Sequence, residues 1–274
     1  MGNDEIPEPH GTVRSSDLTR TLLAPNPGPM TLDGTNSYLI GAPGSPSIVV
    51  VDPGPVDDDH LAALAEAGRV ELVLITHHHP DHSAASERFA QLTGAPVRAF
   101  DPAFCVNGEP LQGGEEIHAA GTRIRVIATP GHTADSLCFH LPDDGPNGSV
   151  ITGDTILGRG TSVIVHPDGA LGPYLRSLSG LRELGPATVL PAHGPTLPSL
   201  METCERYLAH RRDRLDQVRR ALADLGPDAS VEQVTDRVYP HTDAAVRFAA
   251  EASVRAQLDY LRESGGQTGR GGTR

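Results

Sequence analysis

Thr76-His77-His78-His79-Pro80-Asp81-His82 follows directly on an apolar run, Leu72-Val73-Leu74-Ile75, and precedes a helix-like segment over 84–92. A strand that stops and a helix that starts leave a short loop between them, where side chains at successive positions can converge on one point. A regular helix would put His77 and His79 on divergent faces, because only residues three or four apart share a side. Four imidazoles and a carboxylate packed into such a loop read as a metal site.

Outward from this stretch the chain alternates strand and helix. Strands are predicted over 18–23, 37–40 and 47–51, the last ending in Asp52-Pro53-Gly54. The turn-rich stretch 26–36 is a loop. Asp52, at a strand end beside a turn, suits either support of a metal ligand or a simple turn-forming role. A helix capped by Asp59 runs through Leu61 and Leu64 to Gly68, and another short strand lies over 94–99. This is the α/β rhythm. From about residue 111 the pattern changes to glycine-punctuated strands at 117–119, 123–128, 136–141 and 150–153, whose spacing predicts consecutive antiparallel pairing.

Three more chemical residues sit just beyond strands: His132 in Thr129-Pro130-Gly131-His132, Asp154 after Val150-Ile151-Thr152-Gly153, and His193 in Pro191-Ala192-His193-Gly194. Strand ends on one edge of a sheet are where open α/β architectures place their sites. Seven groups are then on offer: His77, His79, Asp81, His82, His132, Asp154 and His193. At about four coordination places per ion, that is too many for one cation and suits two. The assignment gives His77, His79 and His132 to the first, Asp81, His82 and His193 to the second, and Asp154 to both, with His78 as a spacer pointing away. Without thiolates this is not a closed structural zinc site. An open dinuclear site keeps a place for water, whose pKa a metal lowers from 15.7 to about 7. The expected chemistry is hydrolysis by a bridging hydroxide, with Asp81 holding its proton as the catalytic residue. Two divalent ions are expected, zinc first, with Mn2+ or Fe2+ as alternatives because the same ligands serve all three.

Composition narrows the setting. The 274 residues, 38% hydrophobic, suffice for one large domain or a domain with a smaller appendage. Net charge is −13, so the chain has no general attraction for nucleic acid or anionic membrane, and a nucleic-acid role needs a local basic face. Cys105, Cys138 and Cys204 form no C-x-x-C pair, and no export signal or membrane-length apolar run is present, so a cytoplasmic location is expected. From Ser199 the composition becomes helical: a long helix stopped by Gly226-Pro227, a second opened by the capping box Ser230-Val231-Glu232-Gln233 and running to about residue 239, and a third over 243–263. Residues 1–12 and the glycine-rich 264–274 are expected to be disordered, leaving a catalytic domain over 13–198 and a helical domain over 199–263.

Taken together, His-x-His-x-Asp-His at 77–82, Pro-Gly-His132-Thr, Thr-Gly-Asp154 and Ala-His193-Gly stand in the order and near the spacing of the metallo-β-lactamase superfamily, which residues 20–200 resemble. The resemblance implies an αββα sandwich of two mixed sheets with helices outside and a dinuclear site at one edge. Asp154 is similar to the glyoxalase II and RNA-processing branches, since true β-lactamases commonly carry Cys or Ser in the second site or lack the bridging Asp. His79, where the flavodiiron branch has Glu, argues against a redox diiron centre. More narrowly, the loop 26–39, the loop 154–162 and His210-Arg211-x-x-Arg214 resemble the lactamase-beta-like protein 2 group, in which the last motif belongs to a winged-helix-like C-terminal domain. That likeness carries Asn36, Thr161 and Arg211 over as substrate-binding residues. For His166, in Val165-His166-Pro167-Asp168, substrate contact and turn placement both stay open. A wing strand after Glu263 and the large insertion of the RNA 3′-processing nucleases are both missing.

Some members of that group are endoribonucleases, so one expected substrate is single-stranded RNA, with Arg206, Arg211, Arg212, Arg214, Arg219 and Arg220 on the long helix as candidate phosphate contacts. The alternative reading of that cluster is a solvated face balanced by Glu205, Asp213 and Asp216. A small ester or thioester, cleaved as by glyoxalase II, is the second substrate class, and a β-lactam the third. A regulatory protein with a vestigial site is a reading of a different kind, opposed by the intact ligands. No membrane partner is expected, and a homodimer is compatible with a sequence that does not settle oligomeric state.

Overall fold

Three consecutive valines show how the layers arise. Val49 and Val51 face a core that also holds Tyr38, Leu72, Leu74, Phe139 and Ile151, whereas Val50 faces a second core with Leu61, Leu64, Val73 and Phe89. Side chains alternate along a strand, so a run apolar at every position must be covered on both sides. Full burial of such side chains contributes about 1.5–3 kcal/mol each, which is what holds helices against both outer faces.

The computed structural model describes residues 11–268. One sheet has six strands in chain order: β1 (Val13–Arg14), β2 (Thr19–Leu23), β3 (Asn36–Ile40), β4 (Ile48–Val51), β5 (Val70–Leu74) and β6 (Val97–Arg98). Its first four strands pair antiparallel, while β4-β5-β6 are parallel and joined by helices. The second sheet comprises β7 (Glu116–Ala119), β8 (Thr122–Ala128), β9 (Leu137–Leu141), β10 (Ser149–Gly153) and β11 (Thr188–Pro191). Here β7 to β10 pair consecutively antiparallel, as their spacing predicts, and β11 joins β10 in parallel. Helices α1 (Asp58–Glu66) and α3 (Ser86–Thr93) cover the first sheet. Helices α4 (Leu171–Arg182) and α5 (Leu200–Leu225) cover the second through Leu171, Tyr174, Leu178, Leu200 and Cys204 packed on Val150 and Val189. The fold is the αββα sandwich expected.

Several boundaries differ from expectation for local reasons. The cap of α1 is Asp57, whose side chain accepts from the His60 N–H, not Asp59. The single helix expected over 84–92 is two, α2 (Pro80–Ser83) and α3, because hydrogen bonds at the junction go sideways. The Ala85 N–H donates to the Gly54 carbonyl and the Gly54 N–H to the His82 carbonyl. At the C-terminal end α6 (Val231–Val238) carries the predicted capping box of Ser230 and Gln233. A 3-10 turn, Ala244–Val246, precedes α7 (Arg247–Thr268), so residues 264–268, expected to be disordered, are helical. Thr12 is buried; residues 1–10 and 269–274 lie outside the described residues. No strand follows β11 among the described residues, and none of their helices is long and apolar enough to cross a membrane.

Apolar packing crosses residue 199 without a break. Tyr207 and Leu215 of α5 and Ala256 of α7 belong to the same core as α4, while Val218, Val234, Val254 and Leu258 form a smaller one among α5, α6 and α7.

At one edge of the sandwich the sheets are stitched by two backbone hydrogen bonds, Leu137 N–H to Thr76 O (2.8 Å) and Asn36 N–H to Ala192 O (2.7 Å), while Ala192 N–H to Gly153 O (3.2 Å) extends the pairing of β10 with β11 to the same edge. Gly153 sits at this seam with φ +49°, where a Cβ would lie 2.8 Å from the Thr76 side chain. Gly153→Ala combines left-handed strain with overpacking, and is expected to cost about 2–4 kcal/mol of stability, read from urea unfolding. An unchanged midpoint would show that the seam yields freely.

Candidate metal centre

Five strand ends meet at that edge, and each delivers one component. β4 runs into Asp52, β5 into the 76–82 stretch, β8 into His132, β10 into Asp154 and β11 into His193. His79 occupies the N-cap position of α2, and Pro80 begins the helix, so the chain turns immediately and brings Asp81 and His82 back toward His77.

The direction of each imidazole follows from its outer nitrogen. His132 Nδ1 lies 2.7 Å from the Val163 carbonyl and His193 Nδ1 3.1 Å from the Gly34 carbonyl. His82 Nδ1 lies 2.8 Å from Asp52 Oδ2. His77 Nδ1 is 3.0 Å from Thr76 Oγ1, a hydroxyl that itself donates to Asp52 Oδ2 (2.7 Å). Carbonyls and carboxylates only accept, so each of these Nδ1 atoms carries the proton and each Nε2 points inward with its lone pair.

Two groups result. His77 Nε2 and His132 Nε2 stand 3.0 and 3.1 Å from His79 Nδ1, and Asp154 Oδ2 is 3.6 Å from His132 Nε2. A proton on His79 Nδ1 can be donated to only one of the two lone pairs that face it, whereas a cation takes all three nitrogens, and the separations are close to the about 3.3 Å expected between nitrogens at about 2.0–2.1 Å from a tetrahedral ion. In the second group His82 Nε2 and His193 Nε2 lie 3.3 and 3.2 Å from Asp81 Oδ2 and 3.7 and 3.3 Å from Asp154 Oδ1. None of these approaches makes a hydrogen bond. His82 Nε2, His193 Nε2 and Asp154 Oδ1 are buried polar atoms without a hydrogen-bond partner. Three such orphans facing one another would be costly in a site built without cations. Both groups therefore fit divalent ions, with the two Asp154 oxygens turned one to each.

Charges at the site follow the same division. Burial, then the neighbouring His82 and His132 rings, drives His77 well below the ordinary imidazole value, and burial with His132 brings His79 down to about 4. Burial opposes ionisation of Asp81, yet His193 and His82 hold its carboxyl well below the usual carboxylate range. For His82 burial is outweighed by Asp52 and Asp154, and for His193 by Asp81 and Asp154, so both rings are raised.

Asp52 unites the two groups. Its Oδ1 accepts from the Thr76 N–H (2.8 Å) and its Oδ2 from both Thr76 Oγ1 and His82 Nδ1, so one carboxylate orients His82 directly and His77 through Thr76. It is held at φ +52°, uncommon for a residue with a side chain. Of the two roles open to Asp52 from sequence, these contacts supply the supporting one. Thr76 carries no signal of its own beyond ending the strand, and the Val163 and Gly34 carbonyls carry none at all, since every residue has one.

The remaining candidates lie around the site. His78 turns outward, Nδ1 at 2.9 Å from Asp135 and Nε2 at 3.5 Å from Asp168. The Asn36 amide donates to the Pro191 (2.8 Å) and Gly194 (3.0 Å) carbonyls, bracing the turn that bears His193. Thr161 is half-buried in the loop after Asp154, and the exposed His166 lies 3.7 Å from Asp259 on α7. Arg211 requires a correction: it is buried, donates to the Ser162 carbonyl and lies over the Tyr174 ring, 5.0 Å from its centroid, so it is no substrate contact.

Comparison with known proteins agrees with this geometry. Residues 30–193 match the family described as the Metallo-beta-lactamase superfamily. The chain is 30% identical over 264 residues to a Beta-lactamase-like protein 2 homolog of Caenorhabditis elegans, covering 91% of this chain and 86% of that protein. Lactamase-like protein adaB of Aspergillus niger is 32% identical over 213 residues, covering 76% of this chain and 64% of adaB. A crystal structure of a metallo-beta-lactamase family protein from Thermus thermophilus superposes with a TM-score of 0.73 at 25% identity, covering 90% of this chain and 94% of that one.

Asp52→Asn replaces an acceptor of three hydrogen bonds by an amide that cannot accept all of them, and should weaken metal affinity by about 10- to 100-fold in chelator competition. Wild-type affinity in that variant would remove Asp52 from the site's support. Proton linkage gives a second expectation. With Nδ1 of His82 and His193 already protonated, a second proton and a cation compete for the same inward Nε2 lone pairs, and both rings are raised above the ordinary imidazole value, so affinity rises with pH and uptake releases protons where those rings are charged. Calorimetry in buffers of different ionisation enthalpy measures this, and a buffer-independent heat would contradict it.

Proposed function

This chain belongs to the metallo-β-lactamase superfamily and is a metal-dependent hydrolase, and from that premise we propose that it works with two divalent cations, held as the two ligand groups suggest. The observation that carries the proposal is the set of inward lone pairs and orphaned atoms, His77, His79 and His132 on one side, His82, His193 and Asp154 Oδ1 on the other. Two such cations supply Lewis acidity and an acidified water, and zinc is the first candidate, since neutral imidazole and carboxylate suit it. Manganese and iron(II) take the same ligands.

Asp81, whose Oδ2 faces His82 and His193, is also the more exposed of the two site carboxylates, its side chain 27% exposed against 13% for Asp154. Its carboxylate stays ionised through its contacts with His193 and His82, and its partial exposure leaves it open to a water reaching the site from solvent. Accepting that water's proton and holding it for the leaving group is the role proposed for it.

A small ester or thioester is the substrate class the surroundings favour. The arginines of α5 do not form one phosphate-binding row: Arg211 is buried, Arg214 lies over the Tyr239 ring and Arg219 pairs with Asp216. Around the site Arg159 is paired with Asp33, and Asp135 and Asp168 add negative charge beside His78. Such a rim suits a neutral acyl group better than a polyanion, whose binding depends on neutralised phosphates. Single-stranded RNA, expected from the likeness of the 26–39 and 154–162 loops to an endoribonuclease-containing group, is the second reading.

Zinc- or manganese-loaded protein assayed in parallel on a lactoylglutathione-type thioester, single-stranded RNA and a chromogenic β-lactam separates these. The thioester should turn over fastest, chelation should abolish turnover, and Asp81→Ala should lower kcat by about 10²- to 10⁴-fold. Preferential cleavage of RNA would reverse the order of the two readings. No substrate cleaved faster than by the Asp81→Ala protein would leave all three classes unsupported.

A further inference from the structure

The loop between Asp154 and residue 163 touches three of the proposed ligands, which come from three different strands. It begins at Asp154 itself, whose carbonyl accepts from Ser162 Oγ. Its Gly158 N–H donates to the His193 carbonyl (2.8 Å), and a Cβ at Gly158 would collide with the Pro195 backbone, so loop and turn are in direct contact. At its far end the Val163 carbonyl is the acceptor that fixes the His132 ring. A shift of this loop therefore moves Asp154, His132 and His193 together.

What holds the loop lies in the C-terminal helices. The Tyr207 hydroxyl on α5 accepts from the Leu157 N–H (3.0 Å) and lies within donating distance of the Leu157 and Gly160 carbonyls, 3.0 Å from each. One turn further along the same helix face, Arg211 donates to the Ser162 carbonyl (2.5 Å). Its guanidinium rests on Tyr174, whose own hydroxyl donates to the Thr155 carbonyl (2.7 Å). Both α5 residues are almost fully buried, and Arg211 Nε has no hydrogen-bond partner. A buried guanidinium left partly unsatisfied is an unfavourable way to fill a core position, for which an apolar residue would serve better. Its placement is explained by the one carbonyl it reaches, Ser162, next to the residue that orients His132.

We propose that Tyr207 and Arg211 are positioning residues for the metal centre: α5 pins the 155–163 loop, and the loop sets Asp154, His132 and His193. The inference rests on the dinuclear reading given above. It makes the helical segment a component of the catalytic unit.

Cobalt-loaded full-length protein tests it through visible absorption and chelator-competition affinity, with circular dichroism as the check on folding. Tyr207→Phe deletes only the hydroxyl, Arg211→Met keeps length without charge, and Arg211→Lys restores a donor. Expected in the first two variants are an altered cobalt d–d spectrum and about tenfold or greater loss of affinity at one or both sites, on the scale of outer-sphere substitutions, with unchanged circular dichroism. Arg211→Lys should recover part of the wild-type spectrum. Folded variants with wild-type spectrum and affinity would overturn the proposal even if turnover fell, and if Arg211→Met does not fold, Tyr207→Phe decides alone. Wild-type protein that takes up no cobalt would overturn the dinuclear reading and this inference with it.

Discussion

A single carboxylate, Asp52, carries the organisation of the metal centre. Its two oxygens take the Thr76 N–H, the Thr76 hydroxyl and His82 Nδ1, and through that hydroxyl they also set His77. One ring from each ligand group is thereby oriented from one buried point. Asp52 reaches it from a left-handed backbone conformation at the end of β4. Backbone strain of this kind persists only where the surroundings over-determine it. Here the surroundings are parallel pairing of β4 with β5 on one side and the hydrogen bonds between the Gly54 turn and the 82–85 junction on the other.

The same economy appears in the other ligands. His132 and His193 are oriented by main-chain carbonyls, Val163 and Gly34, and the loops that carry both carbonyls lean on the turn that bears His193. Asn36 braces the turn that bears His193, and Gly158 donates to the His193 carbonyl. The centre is therefore a set of mutually supporting strand-end loops rather than a preformed pocket in one of them. Because the seam joins both sheets, metal affinity and stability of the sandwich edge are coupled.

The acidic rim and the scattered arginines bear on how the family's chemistry is used here. Shared ligands make hydrolysis a common property, but which bond is cleaved depends on what the surrounding loops admit. In this chain the arginine of the His210-Arg211 motif is turned inward, where it stabilises the loop instead of meeting a phosphate. A residue's chemistry was readable from its type, whereas its direction on the helix depended on what α5 packs against.

Much of the site was legible because metal ligation restricts residue type: His and Asp beyond strand ends at 77–82, 132, 154 and 193 are visible without coordinates. Periodicity likewise showed the antiparallel run β7 to β10, the long helix α5 and the Ser230 capping box, since these depend on neighbours near in the chain. The split of α2 from α3, the acceptors that orient His132 and His193, the inward turn of Arg211 and the helical continuation to Thr268 were not legible. Sequence by itself determined which groups could bind cations and on which strand ends they stand. Only the tertiary structure decided where each nitrogen points, because that direction is set by hydrogen bonds to main-chain and side-chain atoms brought close by folding.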